Sequence, residues 1–276
     1  MNEIYQNMLS AYDCSTEQQK RNAVFEVNQQ IALAGLYRGG FFNHAAFYGG
    51  TCLRIFHGLN RFSEDMDFSL ITKDENFQFE SYFPSIVAEF ESLGRKVEIN
   101  KKDKKSFGEV ESAFLKDNTD VYDLTFQTEK SIKIKIEVDT NPPLNFETED
   151  LLLLQPFSFM VRCFTLSDLF AGKMHALLFR NWKHRVKGRD WYDFEWYVRS
   201  GIPLNFSHLQ ERAKQFNGLD LSREDFITRL KERLSSTDIK KVVEDVEPFL
   251  KKREEISIWS NAYFLQLAER IKFQAI

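Results

Sequence analysis

Cysteine is scarce in this chain. Cys14, Cys52 and Cys163 are odd in number, widely spaced and form no C-x-x-C pair. A disulfide framework and a thiolate zinc site are therefore excluded, and a reducing cytoplasm is the expected compartment. Long apolar runs are missing as well: the most apolar stretch, Leu151 to Val161, is broken by Gln155 and Pro156. Met1 to Ser10 has neither the basic start nor the apolar centre of a secretory leader, so no membrane span and no export are expected. Charge of one sign does not dominate. The formal net charge is −4, which neither demands nor excludes a nucleic-acid partner and confines any basic patch to a local segment. None of the 5 histidines forms a metal-spaced pair, and internal repeats and low-complexity segments are absent.

What the chain does have is apolar and aromatic surface. Of its 276 residues 43% are hydrophobic and 27 are phenylalanine, enough to offset the conformational entropy of folding one large domain or two smaller ones. Thr16 to Tyr37 carries apolar residues at helical spacing and is stopped by Gly39-Gly40. Phe41 to Tyr48 reads as a short buried strand, Gly49-Gly50-Thr51 as a turn, and Cys52 to Leu59 as a helix for which Thr51 is a possible cap. Met66, Phe68 and Leu70 alternate with Asp65, Asp67 and Ser69, a half-buried strand with both aspartates on its polar face. A helix from Phe83 to Leu93 and strands at Lys96 to Asn100 and Val121 to Gln127 follow. From Ile132 to Asp139, four β-branched residues alternate with Lys133, Lys135, Glu137 and Asp139 before Pro142-Pro143 ends the strand. Beyond about Thr165 amphipathic helices take over: Leu166 to Phe179, Asp190 to Val198, Arg223 to Leu234, Ile239 to Lys252 and Ile256 to Ile271. The expected fold class is α+β, with a mixed-sheet domain over 1–160 and a helical domain over 161–276 that completes an active-site cleft.

The chemistry is expected where the carboxylates gather. Side chains two apart on a strand share a face about 7 Å apart, and a pair of magnesium ions spans about 3.5–4 Å, so Asp65 and Asp67 can hold both ions between them. Glu137, flanked by Ile136 and Val138, is the first candidate to complete the cage and Asp139 the reserve; both lie on one polar face, and alternation does not choose between them. Glycine has no Cβ, so Gly49, Gly50 and Thr51 can bring backbone amides and a helix N-terminus close to a triphosphate. Arg54, Arg61 and Ser63 lie between this turn and the aspartates as further candidates for phosphate oxygens. Taken singly, a Gly-Gly pair is usually just a turn and an Asp-x-Asp a solvated face; the ordered combination is what points to a site.

Gly49-Gly50-Thr51-Cys52-Leu53-Arg54 followed by Arg61-Phe62-Ser63-Glu64-Asp65-Met66-Asp67-Phe68 resembles the AbiEii-like toxins of abortive-infection and type IV toxin–antitoxin systems. Those proteins belong to the polymerase-beta-like nucleotidyltransferase superfamily. Gly172-Lys173-Met174-His175-Ala176-Leu177 and Lys187-Gly188-Arg189-Asp190-Trp191-Tyr192-Asp193 look like the family's two later motifs, so the likeness runs from about Ala46 to Tyr197. The resemblance implies a metal-dependent nucleotidyltransferase, with magnesium or manganese on Asp65, Asp67 and Glu137. It also implies Lys173 on the nucleotide phosphates and Asp190 near the reacting groups as a base on the acceptor.

By the same resemblance an NTP is the donor, RNA and in particular a tRNA 3′ end is the acceptor, and a separately encoded antitoxin is the partner. Two basic segments interleaved with aromatics suit RNA: Lys101, Lys102, Lys104 and Lys105, and Arg180, Lys183, Arg185, Lys187 and Arg189 near Trp182, Trp191 and Trp196. The same chemistry on a protein or small-molecule hydroxyl, and a non-catalytic binding role, are the rival readings.

Overall fold

The computed structural model describes residues 2–102, 119–127, 132–180 and 186–275. The chain divides into two compact units. One comprises Met1–Gly58, Ser63–Pro142 and Thr148–Cys163; the other comprises Leu59–Phe62, Pro143–Glu147 and Phe164–Ile276.

The first unit opens with helices α1 (Glu3–Ser10) and α2 (Glu17–Arg38). Thr16 and Gln19 form a reciprocal capping box at the start of α2, and Gly39 lies at its end. The helix is buried over most of its length, and at Gly35 a Cβ would come within 2.6 Å of the Ile86 Cα, so only glycine lets the two backbones approach. Strand β1 (Ala45–Tyr48) runs directly into α3 (Gly49–His57), and β2 (Met66–Leu70), α4 (Phe83–Ser92), β3 (Val97–Lys101), β4 (Thr119–Phe126) and β5 (Lys133–Asp139) follow. Strands β6 (Thr148–Leu153) and β7 (Phe159–Phe164) complete one mixed seven-stranded sheet in the order β3-β4-β5-β2-β1-β7-β6. β1 is antiparallel to β2 and parallel to β7, while β2 is parallel to β5. Much of the phenylalanine lies here: the ring of Phe68 sits 5.1 Å from Phe41 and 5.0 Å from Phe47, and all three are fully buried.

The second unit is helical: α5 (Leu166–Phe179), α6 (Gly188–Arg199), α7 (Phe206–Asn217), α8 (Arg223–Ser236), α9 (Ile239–Val246) and α10 (Asn261–Ala268). Phe170 stacks on Tyr197 at 4.4 Å, and Trp191 meets Phe264 edge-on at 4.7 Å, tying α5 to α6 and α6 to α10.

Several elements depart from the sequence reading. Leu151 to Val161 is broken at Gln155-Pro156 as read, but its two arms belong to strands, which were not expected. Phe41 to Tyr48 is a 3-10 turn at Phe41–Asn43 before the short strand β1. Helix α7 was not expected, because its apolar positions are few and Asn205 is its only start signal. Pro248 ends α9 early in a 3-10 turn, and Ile256 to Ile271 holds only the shorter α10.

Candidate active site

In the first unit the site is built around the junction of β1 and α3. Gly49 has φ +81°, and a Cβ there would lie 2.1 Å from the Asp67 Oδ2. The Asp67 carboxylate therefore occupies the space over the turn that any side chain at 49 would fill. The antiparallel register that pairs Tyr48 with Asp67 puts it there. No side chain caps α3, which leaves its first amides for another acceptor. Thr51 is not that cap: its buried hydroxyl donates to the Asp65 carbonyl and lies 3.0 Å from the Ser63 Oγ, binding the turn to the segment that carries the aspartates. Ser63 is itself buried in this contact.

Gln29, fully buried on α2, was invisible to sequence reasoning because a polar residue inside a helix carries no positional signal. Its Nε2 donates to the carbonyls of Ser63 at 3.1 Å and Glu64 at 2.8 Å, fixing the backbone that leads into Asp65. Arg54 points away from the role expected for it. Its Nε is 2.8 Å from Glu26 Oε2, and Glu26 also accepts from the Tyr12 hydroxyl at 3.1 Å.

Strand pairing distinguishes the two later carboxylates. Asp67 is the register partner of Glu137, whereas Asp139 faces Ser69. Parallel neighbours lie about 4.8 Å apart, so Glu137 stands beside Asp67 on one face of the sheet. Asp139 is buried and accepts from the Asn141 amide at 3.1 Å, which holds the turn after β5. Lys135 Nζ lies 2.6 Å from Glu137 Oε1. Among the described residues no three His, Cys, Asp or Glu side chains stand close enough together to hold a metal ion. The fit to a hard divalent cation is one of oxygen donors and backbone placement, with Glu137 engaged by Lys135.

The second unit gathers the later motifs. Lys173 on α5 places its Nζ 2.7 Å from Asp193 Oδ2 and 3.5 Å from Asp190 Oδ1. Arg61 closes on the other side of Asp193 with two parallel 2.6 Å hydrogen bonds, both side chains being buried. Burial alone would raise both carboxyls, but the cations outweigh it. Arg61 and Lys173 hold Asp193 below the usual carboxylate range, while Arg180, Lys173, Lys187 and Arg189 hold Asp190 far below it. Arg61 is thus a buried partner of Asp193. Asp193 lies one turn beyond Asp190 on the same face of α6, the signal by which its role could have been found.

His175 bonds Asn217 at 2.8 Å and packs on Phe179, consistent with a structural histidine. Lys101 pairs with Glu80 and Asp120, and Lys102 with Asp123. Trp191 is buried against Phe264 and offers no face for a base. Lys104, Lys105, Trp182, Lys183 and Arg185 lie outside the described residues.

The family model described as "Nucleotidyl transferase AbiEii toxin, Type IV TA system" matches residues 31–267. The chain belongs to the AbiEii nucleotidyltransferase toxin family. Two solved Helicobacter pylori proteins share the fold. JHP933 is 18% identical with a TM-score of 0.53, covering 92% of this chain and 91% of its own. A candidate nucleotidyltransferase is 18% identical with a TM-score of 0.51, covering 92% and 94%. No curated protein matches significantly. No helix among the described residues of this AbiEii protein is long and apolar enough to cross a membrane.

Proposed function

We propose that this AbiEii protein moves a nucleoside monophosphate from an NTP onto an acceptor hydroxyl of RNA, most simply a tRNA 3′ end, as the toxin of a type IV system in the cytoplasm. The observation that carries the reading is the seating of Asp67 over Gly49 with Glu137 as its strand partner. Magnesium or manganese, held by Asp65, Asp67 and Glu137, would supply charge neutralisation at the triphosphate and polarisation of the attacking hydroxyl.

The chain's own residues do the rest. The amides of Gly49, Gly50 and Thr51 at the uncapped start of α3 receive phosphate oxygens. Thr51, Ser63 and Gln29 keep the turn and the Asp65 backbone in register. Within the helical unit Lys173 is the residue that the family likeness assigns to the nucleotide phosphates, and Asp190 and Asp193 hold its ammonium. A carboxylate held as far below its ordinary range as Asp190 is a weak proton acceptor, so we assign it to positioning rather than to general base catalysis. Arg54 is committed to Glu26 and serves the first unit's packing. An antitoxin encoded apart from this chain is the expected protein partner, in keeping with the family.

Purified protein incubated with magnesium, total cellular RNA and each labelled NTP in turn tests the reading against an Asp65→Ala/Asp67→Ala control. Label on a tRNA-sized band, absent in the control, supports it and names the nucleotide. Label only on protein moves the acceptor to a protein hydroxyl, and no label in any lane overturns nucleotidyl transfer.

A further inference from the structure

A second cationic feature in the helical unit is not used by the roles above. At the end of α5, Arg180 lines a narrow pocket with Lys187 and Asp190 at the start of α6 and Arg233 on α8, while Leu177 and Trp191 form apolar walls. Three cationic heads meet one carboxylate, and that carboxylate is already shared by Arg180 at 3.0 Å and Lys173 at 3.5 Å. Lys187 makes no ion pair within 4.0 Å among the described residues. Arg233 donates through Nη2 to the Arg180 carbonyl at 3.0 Å, yet its Nε is buried with no hydrogen-bond partner. An ammonium without an ion pair and a guanidinium Nε without an acceptor, both held away from water, are costly unless a negative group arrives to pair with them. Burial, together with Arg180, Arg189 and Lys173, pushes Lys187 down to about 7 despite Asp190, as expected where negative charge is short.

We propose that Arg180, Lys187 and Arg233 form a phosphate-binding pocket in the helical unit, taking a phosphate oxyanion that inserts one oxygen between the two guanidiniums and the ammonium. The enclosed space is about that of one water, so a single oxygen enters while the rest of the group stays at the mouth. Guanidinium forks match phosphate oxygens in pairs, and the Arg233 Nε supplies a donor with no competing partner. A phosphodiester of RNA and the terminal phosphate of a nucleotide present the same oxyanion. The inference rests on the second unit's charges alone and does not depend on nucleotidyl transfer.

The test uses the full-length wild-type chain. Lys187 is acylated with a limiting amine-reactive reagent near pH 7.5, and its labelling is compared by mass spectrometry with that of the exposed Lys251 in the same sample. Inorganic phosphate, a short single-stranded oligoribonucleotide and an NTP without metal are the protectants, against chloride at equal ionic strength. The expected result is that at least one of them lowers Lys187 labelling by about tenfold, as loss of access to a paired ammonium would. Arg233→Gln should leave Lys187 reactive but unprotected, with Tm and circular dichroism reporting its fold. Protection by the oligoribonucleotide alone assigns the pocket to the RNA backbone; protection by the NTP at lower concentration assigns it to the nucleotide. Lys187 labelling that is unchanged by all three in the wild type overturns the proposal.

Discussion

The carboxylate of Asp67 occupies the space that a side chain on Gly49 would fill, its Oδ2 lying 2.1 Å from where that Cβ would stand. With φ at +81°, the position also disfavours any L side chain by about 1–2 kcal/mol. Gly49→Ala should therefore lower Tm by only a few degrees yet displace Asp67. An ångström of misplacement can cost about a hundredfold in rate, and label transfer should fall by at least that. Transfer within a few-fold of wild type would show that this carboxylate need not sit on the turn.

Arg61 and Asp193 form a buried bidentate pair, so removing Asp193 strands Arg61, and removing Arg61 leaves the Asp193 carboxylate to Lys173 alone. Arg61→Ala should destabilise the helical unit by about 3–5 kcal/mol in chemical denaturation. Arg61→Met combined with Asp193→Leu should cost clearly less than the two single changes summed, because the guanidinium and the carboxylate leave together and Lys173 keeps Asp190. Additive losses would mean that the two side chains do not depend on each other.

Asp190 is held ionised far below neutral pH, so its titration should leave no trace in the working range. Asp190→Asn is expected to reduce transfer through the loosening of Lys173, while the pH–rate profile between about pH 5 and 9 keeps its shape. An acid limb present in the wild type and lost in the variant would restore Asp190 as the base.

The same groups set the pH dependence of stability. Asp190 and Asp193 titrate lower in the folded chain than the ordinary value of 3.8. Their stabilisation is thus complete above that value and is lost as pH falls below it, where the unfolded chain takes up protons first. Lys187 acts in the same sense at higher pH, through relief of a penalty. Its folded value near 7 against 10.5 unfolded means that the folded chain binds fewer protons in between, so stability rises as pH climbs from about 7 toward 10.5. Denaturant midpoints measured from pH 2 to 10 should show both limbs, with Lys187→Met flattening the alkaline one.

Much of this was legible in the sequence because local rules governed it. Alternation of Met66, Phe68 and Leu70, and of Ile134, Ile136 and Val138, marked β2 and β5, and the Thr16 and Gly39 signals bounded α2. What alternation could not supply was register. The choice between Glu137 and Asp139 depends on how two strands distant in sequence align, and the pairing of Asp67 with Glu137 became visible only in the sheet. Tertiary partners were hidden for the same reason: Arg54 and Arg61 looked alike as loop cations, and burial beside Glu26 and Asp193 is what separated them from a phosphate role. Strands β6 and β7 were missed because Pro156 interrupts an apolar stretch that is in fact a strand, a turn and a strand.

The most direct test of the central claim is magnesium-dependent incorporation of label from an α-labelled NTP by the wild type, Asp67→Asn, Glu137→Gln and Asp139→Asn. Incorporation that is lost in the first two variants, retained in Asp139→Asn and removed by chelation is the result the account predicts. Incorporation that survives in Glu137→Gln, or that fails in Asp139→Asn while the fold is kept, would contradict it.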